Sequence, residues 1–511
     1  MFSKIDSVCL SGMEGRSVAV EADVSDGLPG YILVGYLASE VREGGDRVRA
    51  AIRNLGISLP PKKVTINLSP ADFRKEGTGF DLAIAVAVLV AYGQLPADMT
   101  TDSVFVGELG LDGELKGIPG ILAIASWAAA HGCSRIFLPE ENVREASVIG
   151  NIQLIPGKNL RQLLPMLRGE TPLEIYERPA GFPDAEKRNV YEVDFSEVNG
   201  QKLLRRAAEV AAAGGHNLLM VGSAGAGKTM IARRIPTIMP RLTAEECIEI
   251  SKIYSVSHLL SDQEPLILRR PFRNPHHSVS VQALTGGGAR PKPGEISLAA
   301  GGILFLDEMP EMSRAALESL RQPLEERTVT VTRVQGTACY PADFQLVAAM
   351  NYCPCGRYPD LSRCTCTQGQ IRKYLQKVSG PLLERIDLCV EASPVTFGEI
   401  SRRDKNESSE AVRIRVEAAR SIQRERFRNM EIHCNGEMRG THIRKFCSLA
   451  EGEERFMEEI FDALKLSARV YDRILKMART IADLDKKEKI GHGHLCEAIS
   501  YVRVKKKLWE N

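Results

Sequence analysis

No apolar run in this chain of 511 residues approaches the roughly 20 needed to span a bilayer, which argues against a helical membrane protein. The opening, Met1-Phe-Ser-Lys-Ile, lacks the charged-then-apolar plan of a signal peptide, so a cytoplasmic location is expected. An excess of one charge is also missing: 67 Lys and Arg against 65 Asp and Glu leave a formal net charge of +2. That near-neutrality neither demands nor excludes nucleic acid, and any such contact must come from local basic surface. Twelve cysteines without an export signal do not suggest a disulfide scaffold. Eight are scattered and expected to be small buried residues, whereas four are clustered. There is no internal repeat and no long low-complexity tract. What remains is the ordinary composition of a soluble globular protein, long enough for about three domains.

The most informative stretch is Gly222-Ser223-Ala224-Gly225-Ala226-Gly227-Lys228-Thr229, which follows the apolar run Leu218–Val221 and precedes a helix-like stretch Met230–Ile238. A strand, a glycine-rich turn and a helix in that order form a phosphate-binding loop. Its backbone N–H groups close around phosphate oxygens, and the helix adds its positive dipole end. In such a loop Lys228 reaches the β- and γ-phosphates and the Thr229 hydroxyl ligates Mg2+. Downstream, Gly302-Ile-Leu-Phe-Leu-Asp307-Glu308 reads as a strand buried on both faces and ending in two carboxylates. Alone it reads equally as a core strand with a solvated acidic end. Paired with the loop, it places Asp307 to bind Mg2+ and Glu308 to orient or deprotonate the attacking water. The pair implies hydrolysis of a nucleoside triphosphate.

The pattern along the chain predicts a multidomain α/β protein. Residues 1–168 alternate strands (Val64–Leu68, Ser103–Gly107, Ser134–Pro139) with apolar helices (Asp81–Ala91, Ile121–His131), which suggests a mixed α/β domain. A linker is expected over 169–190, where Pro172, Pro179, Gly181 and Pro183 punctuate a polar stretch. The nucleotide motifs fall in a second domain, 191–396. A helical, arginine-rich third domain is expected over 397–511, with helices near Ala411–Arg428 and Ala468–Leu484.

Further segments sharpen the motor reading. Gln345–Asn351 is an apolar strand ending in an amide that would hydrogen-bond the lytic water or the γ-phosphate. Arg385, within Ser379–Asp387, stands where a ring-forming ATPase places an arginine finger acting in trans. Arg469, with Arg473 one turn later, would supply a second basic sensor. Together these stretches resemble the AAA+ superfamily, and within it the magnesium-chelatase-like ComM/YifB family, over essentially the whole chain. The most specific part is Arg270–Glu308, with R-P-F-R-N-P-H-H-S, L-T-G-G-G and P-G-E-I-S-L-A-A-G-G-I-L-F-L-D-E. The resemblance implies a central parallel-sheet AAA+ core with an insertion projecting toward a ring's pore, and a C-terminal helical lid. It makes Thr328–Pro341 a pre-sensor hairpin, Asn351 sensor 1, Arg385 the arginine finger and Arg469 sensor 2. Arg273, His276 and His277 form a small basic cluster. The two histidines are poor joint ligands for a metal, because adjacent side chains rarely point at one ion.

Cys353, Cys355, Cys364 and Cys366 put four thiols within one short loop. Four thiolates around one Zn2+ would fold it as a small knuckle, although two C-x-C pairs are tighter than the usual spacing. Arg357, Arg363, Arg372 and Lys373 nearby would suit phosphates. The alternative is an exposed loop of reduced thiols, a chemical liability.

In the first domain Lys75-Glu-Gly-Thr-Gly-Phe-Asp-Leu-Ala resembles the catalytic region of Lon-type proteases. The alignment sets Gly79 at the nucleophilic serine and Leu122 near the partner lysine, which leaves covalent catalysis without an agent. Thr78 and Lys116 would be the residues of a displaced dyad. A non-proteolytic Lon-like module is expected.

The family resemblance implies an ATP- and Mg2+-dependent hexameric ring acting on single-stranded or branched DNA. Its activity would be helicase-like, or branch migration in homologous recombination, notably of DNA taken up during natural transformation. The step from ATPase to DNA is analogy. A chelatase-type motor is an alternative, weakened because the chain has no D-x-S-x-S adhesion motif. A protein-remodelling motor and an ATP-driven Lon-like protease are the others, the last opposed by Gly79.

Overall fold

The computed structural model describes residues 1–178, 191–261, 264–288, 292–333, 336–393 and 406–509. Pro179, Gly181 and Pro183 of the expected linker, and the expected start of the helical segment at 397, lie outside them.

A seven-stranded mixed sheet occupies the front of the chain. Its strands are β1 (Phe2–Ser11), β2 (Glu14–Ser25), β3 (Gly30–Val34), β4 (Lys63–Ser69) and β5 (Ser103–Phe105). A small hairpin, β6 (Glu108–Leu109) and β7 (Leu115–Lys116), precedes the last two strands, β8 (Arg135–Pro139) and β9 (Gln153–Gly157). The spatial order is β3-β4-β2-β1-β5-β8-β9. Side chains alternate between the two faces, as a period of two requires. Phe105, Phe137 and Ile155 enter one core, and Val104, Ile136 and Leu154 enter the other. Helix Asp81–Ala91 is buried almost all round, because it lies between the sheet and helix Ser39–Asn54.

The second sheet contains β10 (Leu218–Gly222), β11 (Phe272–Arg273), β14 (Ile303–Leu306), β17 (Gln345–Met350) and β18 (Leu388–Ala392). Two short ribbons flank it: β12 (Gly286–Gly287) with β13 (Lys292–Pro293), and the hairpin β15 (Thr328–Arg333) with β16 (Gly336–Pro341). The order is β11-β14-β17-β10-β18 and every pairing is parallel. Both faces are covered, which is why β14 and β17 are apolar without a break. On one face Leu218, Phe305 and Val347 share a core with helices Lys202–Gly214, Ser409–Arg426, Ala468–Leu484 and His492–Trp509. On the other, Leu219, Leu304 and Leu346 meet the hairpin β15–β16.

The two sheets are joined by packing as well as by chain. Helix Ala244–Val256, from the nucleotide-motif half, sends Cys247, Ile250 and Ile253 into the core beneath helix Ile121–Ala130 of the front half. The helix expected over Met230–Ile238 is two pieces, Lys228–Ala232 and Ile235–Ile238. Pro236 stands in the first turn of the second piece, where its missing N–H costs nothing. Of the scattered cysteines, Cys339 and Cys496 are exposed and Cys133 is half-buried, contrary to the expectation of burial. Among the described residues no helix is long and apolar enough to cross a membrane.

Candidate nucleotide site

Strands β14, β17 and β10 lie side by side and parallel, so their C-terminal ends share one edge. Asp307 follows β14, Asn351 follows β17, and the turn 223–227 follows β10. Three distant parts of the chain are thereby brought to one crevice, the usual place for a ligand in an open α/β sheet. Gly222 is still in the strand, and its lack of a side chain answers a packing need: a Cβ there would stand 2.6 Å from that of Ala392 on β18.

Lys228 opens the helix, with only 7% of its surface exposed. Its Nζ donates to the carbonyls of Gly222 and Ser223, both at 2.8 Å, and to Asn351 Oδ1 at 3.1 Å. Burial pushes the Lys228 ammonium down to about 8, and the nearby Asp307 charge opposes that shift. All three of its acceptors are neutral, so a bound phosphate would supply the missing counter-charge. Thr229 Oγ1 donates to Asp307 Oδ2 at 2.7 Å. A hydroxyl and a carboxylate side by side are hard oxygen donors of the kind Mg2+ takes when it also binds phosphates.

Glu308 has a left-handed backbone, φ 48°, and its N–H donates to Asp307 Oδ1 at 2.9 Å. Its carboxylate lies 3.5 Å from Nδ1 of His277, whose ring packs on that of His276 at 4.0 Å between centroids. His276 Nδ1 pairs with Ser278 Oγ at 2.8 Å.

Arg385, Arg469 and Arg473 lie elsewhere. Arg385 precedes β18, and its carbonyl accepts from Asn217, the residue before β10. It therefore stands at the N-terminal ends of the strands, about 17 Å of strand away from the phosphate turn. Its guanidinium donates to the carbonyls of Arg321 and Pro381 and pairs with Glu325. Arg469, 80% exposed, pairs with Glu384 at 3.0 Å, and buried Arg473 pairs with Asp387 at 3.4 Å. All three line one cleft, joined by Arg439.

The four clustered cysteines converge, with one sulfur from each within 4.8 Å of the others. Cys353 Sγ is 3.4 Å from that of Cys355 and 3.8 Å from that of Cys364, and Cys355 to Cys364 is 3.7 Å. Sulfurs about 2.3 Å from a tetrahedral Zn2+ stand roughly 3.8 Å apart, so the donor set and its spacing fit that ion. Backbone donation, chiefly from Arg357, holds the Cys355 thiol down at about 6.

In the front sheet Thr78 Oγ1 bonds to Glu108, Gly79 has no side chain, and Leu122 is fully buried. Lys116 is exposed and pairs with Glu108 across β6 and β7 through the backbone. Lys75 is fully buried, its Nζ on the Phe73 carbonyl at 3.0 Å and over that ring.

Three contacts of the candidate site escape sequence reasoning. Gln201 Nε2 donates to the Ala226 carbonyl at 3.1 Å and to that of Ser393. Its signal is the Asn199-Gly200 pair just before helix Lys202–Gly214. The others are His277, as partner of Glu308, and Gly356, whose carbonyl accepts from the Ala224 N–H at 3.1 Å.

Family models match three consecutive stretches: magnesium chelatase subunit ChlI over residues 194–400, a further ChlI model over 20–142, and the ChlI C-terminal model over 406–502. The chain is 42% identical over 491 residues to the uncharacterized protein YifB of Salmonella typhimurium, covering 96% of this chain and 95% of that one. It is 39% identical over 503 residues to the competence protein ComM of Haemophilus influenzae, covering 97% of each. A shorter match, 26% over 111 residues, relates 22% of the chain to 17% of an archaeal Lon protease from Methanocaldococcus jannaschii.

Proposed function

The chain belongs to the magnesium-chelatase-like ComM/YifB family, and we propose that it is a ring-forming AAA+ ATPase that couples ATP hydrolysis to the remodelling of DNA. The observation that carries the ring is the separation of two half-sites. Lys228, Thr229, Asp307 and Asn351 stand at the C-terminal edge of the sheet, whereas Arg385, Arg469 and Arg473 stand at its other end. An arginine held at the N-terminal ends of β10 and β18 does not reach the phosphates of its own chain. It serves the nucleotide of a neighbouring copy, and a closed ring, a hexamer in this reading, gives every copy such a neighbour.

Within that assembly Lys228 binds the β- and γ-phosphates, and Thr229 and Asp307 would hold Mg2+, whose charge would offset that developing on the phosphate. Glu308 takes a proton from the attacking water as its oxygen bonds to the γ-phosphorus and ADP departs. Asn351 orients that water, and Arg385 with Arg469 stabilises the charge in trans. Residues 191–396 are the motor, 397–511 its lid, and 1–168 a Lon-like module that does not cut, because Gly79 offers no nucleophile. The four cysteines hold zinc.

DNA as substrate is supported by the relative named as a competence protein. The reading is branch migration or unwinding in recombination. The name of the matching family favours a chelatase-type motor as the second reading. The ATPase rate is measured against single-stranded DNA, forked DNA and unfolded protein, with Lys228→Ala as the blank. Stimulation by DNA that fades with salt is expected. Stimulation by unfolded protein alone would reject the DNA reading in favour of protein remodelling.

A further inference from the structure

The cysteine loop touches the phosphate loop directly. The N–H of Ala224, the third residue of the phosphate loop, donates to the carbonyl of Gly356 at 3.1 Å. Gly356 immediately follows Cys355 and has a left-handed backbone, φ 72°. A Cβ on it would meet that of Ala224 at 3.3 Å and the Asn351 amide at 3.5 Å. On the other side Cys353 lies two residues beyond Asn351, the partner of Lys228 Nζ. The cysteine loop thus reaches both walls of the nucleotide crevice.

Packing holds part of that loop, with Cys353 buried in the second-sheet core and Tyr352 and Tyr358 against it, but regular backbone structure does not. Residues 351–367, between β17 and helix Gln368–Leu375, form neither helix nor strand. Their shape rests on turn bonds such as Gly356 N–H to the Cys353 carbonyl and Cys364 N–H to the Asp360 carbonyl, at 3.0 and 2.8 Å. Four sulfur–metal bonds would be the strongest constraint in the segment, and structural zinc sites of this kind commonly fold their loops outright.

We propose that the four-cysteine centre is a metal-dependent clamp on the phosphate loop, so that nucleotide affinity depends on the metal. The inference rests on the zinc reading of the cysteines. With zinc bound, Gly356 is held against Ala224 and Asn351 is held toward Lys228. Without zinc the segment loosens, and the crevice loses one wall and the fixed position of its amide.

The test uses the full chain and a fluorescent ATP analogue as probe, with Mg2+ in excess. Metal content is measured by elemental analysis on the purified chain, after stripping with a zinc-selective chelator, and after refilling. The expected result is about one zinc per chain, affinity at least tenfold weaker on stripping, and recovery with Zn2+. Gly356→Ala should keep its zinc yet bind the probe roughly fivefold more weakly, since a side chain strains the left-handed backbone. If the stripped chain loses its far-ultraviolet circular dichroism, the comparison is made over the partial zinc occupancies that keep it, where affinity should fall in step with zinc content. Less than half an equivalent of zinc on a folded chain overturns the zinc reading and the clamp with it. One equivalent of zinc, with affinity unchanged within twofold in both the stripped chain and Gly356→Ala, overturns the clamp and leaves the zinc site standing.

Discussion

Each of the two sheets carries a glycine-containing turn that runs into a helix beside a buried lysine. In the front sheet the turn is Lys75-Glu-Gly-Thr-Gly before helix Asp81–Ala91, and in the second it is 222–227 before Lys228. Lys75 is sealed in, with Nζ on the carbonyl and ring of Phe73. Lys228 is nearly as buried, but it faces the end of a strand and the amide of Asn351. The acidic groups differ more. Asp81 is consumed by a bidentate pair with Arg47, at 2.8 and 3.0 Å, and Glu108 receives the Thr78 hydroxyl. Asp307, by contrast, stands beside a helix-start hydroxyl at the edge where three strands end. A glycine turn before a helix is therefore common architecture. What sets the second turn apart is that parallel strands deliver a carboxylate and an amide to its edge.

The sharpest way to break this comparison is to remove each lysine in turn. Lys228→Ala should weaken binding of a fluorescent ATP analogue beyond detection, while Lys75→Met should leave the affinity within about twofold of the original. An equal loss in both would show that burial near a glycine turn, not strand-end convergence, is what matters. Next in size, Arg385→Ala should lower the assembled ATPase by about 10³-fold. Mixing it with Lys228→Ala subunits should restore turnover, because each supplies the half-site the other lacks. No recovery in the mixture would remove the trans assignment. Glu308→Gln should bind ATP normally and hydrolyse it roughly 10²-fold more slowly, as loss of a general base requires. Single-turnover hydrolysis reads that effect.

The smallest effect concerns a proton. Burial lowers the Lys228 ammonium to about 8 in the folded chain, while an unfolded chain keeps the ordinary lysine value near 10.5. Below pH 8 the group is charged in both states and its desolvation penalty is fully present. As pH rises from 8 toward 10.5 the folded chain sheds the proton first, and the penalty is relieved. Phosphate needs the charged form, so nucleotide binding at pH 9 should take up close to one proton, and at pH 7 almost none from this group. Calorimetry in buffers of different ionisation heat measures the uptake.

Legibility varied with how local each signal was. Leu218–Val221, Gln345–Asn351 and the helix Ala468–Leu484 were readable because apolar runs and helical spacing are written in consecutive residues. The long strands β1 and β2 carry no such local signal. In β1 two of the buried positions are Ser3 and Ser7, whose hydroxyls donate to the carbonyls of Ala87 and Phe105 at 2.7 and 2.8 Å. Satisfied buried serines erase the hydropathy alternation that would announce a strand. Contacts between Glu308 and His277, or Ala224 and Gly356, join segments far apart in sequence, and no local pattern encodes them. The grouping of Arg469 and Arg473 with Arg385 depends likewise on how the C-terminal helices settle on the sheet.

The packing of helix Ala244–Val256 under the front sheet has a mechanical consequence. That helix belongs to the half that carries the nucleotide motifs, yet Ile250 and Ile253 are sunk among front-half residues, and the Tyr254 hydroxyl donates to the Leu298 carbonyl at 2.8 Å. Met13, at the turn between β1 and β2, packs against both this core and the one that contains hairpin β15–β16. Among the described residues, two cores that interlock in this way couple the sheets to one another. The front sheet is thereby tied like an outrigger to the segment 244–300, and a displacement of either is passed to the other through that shared core.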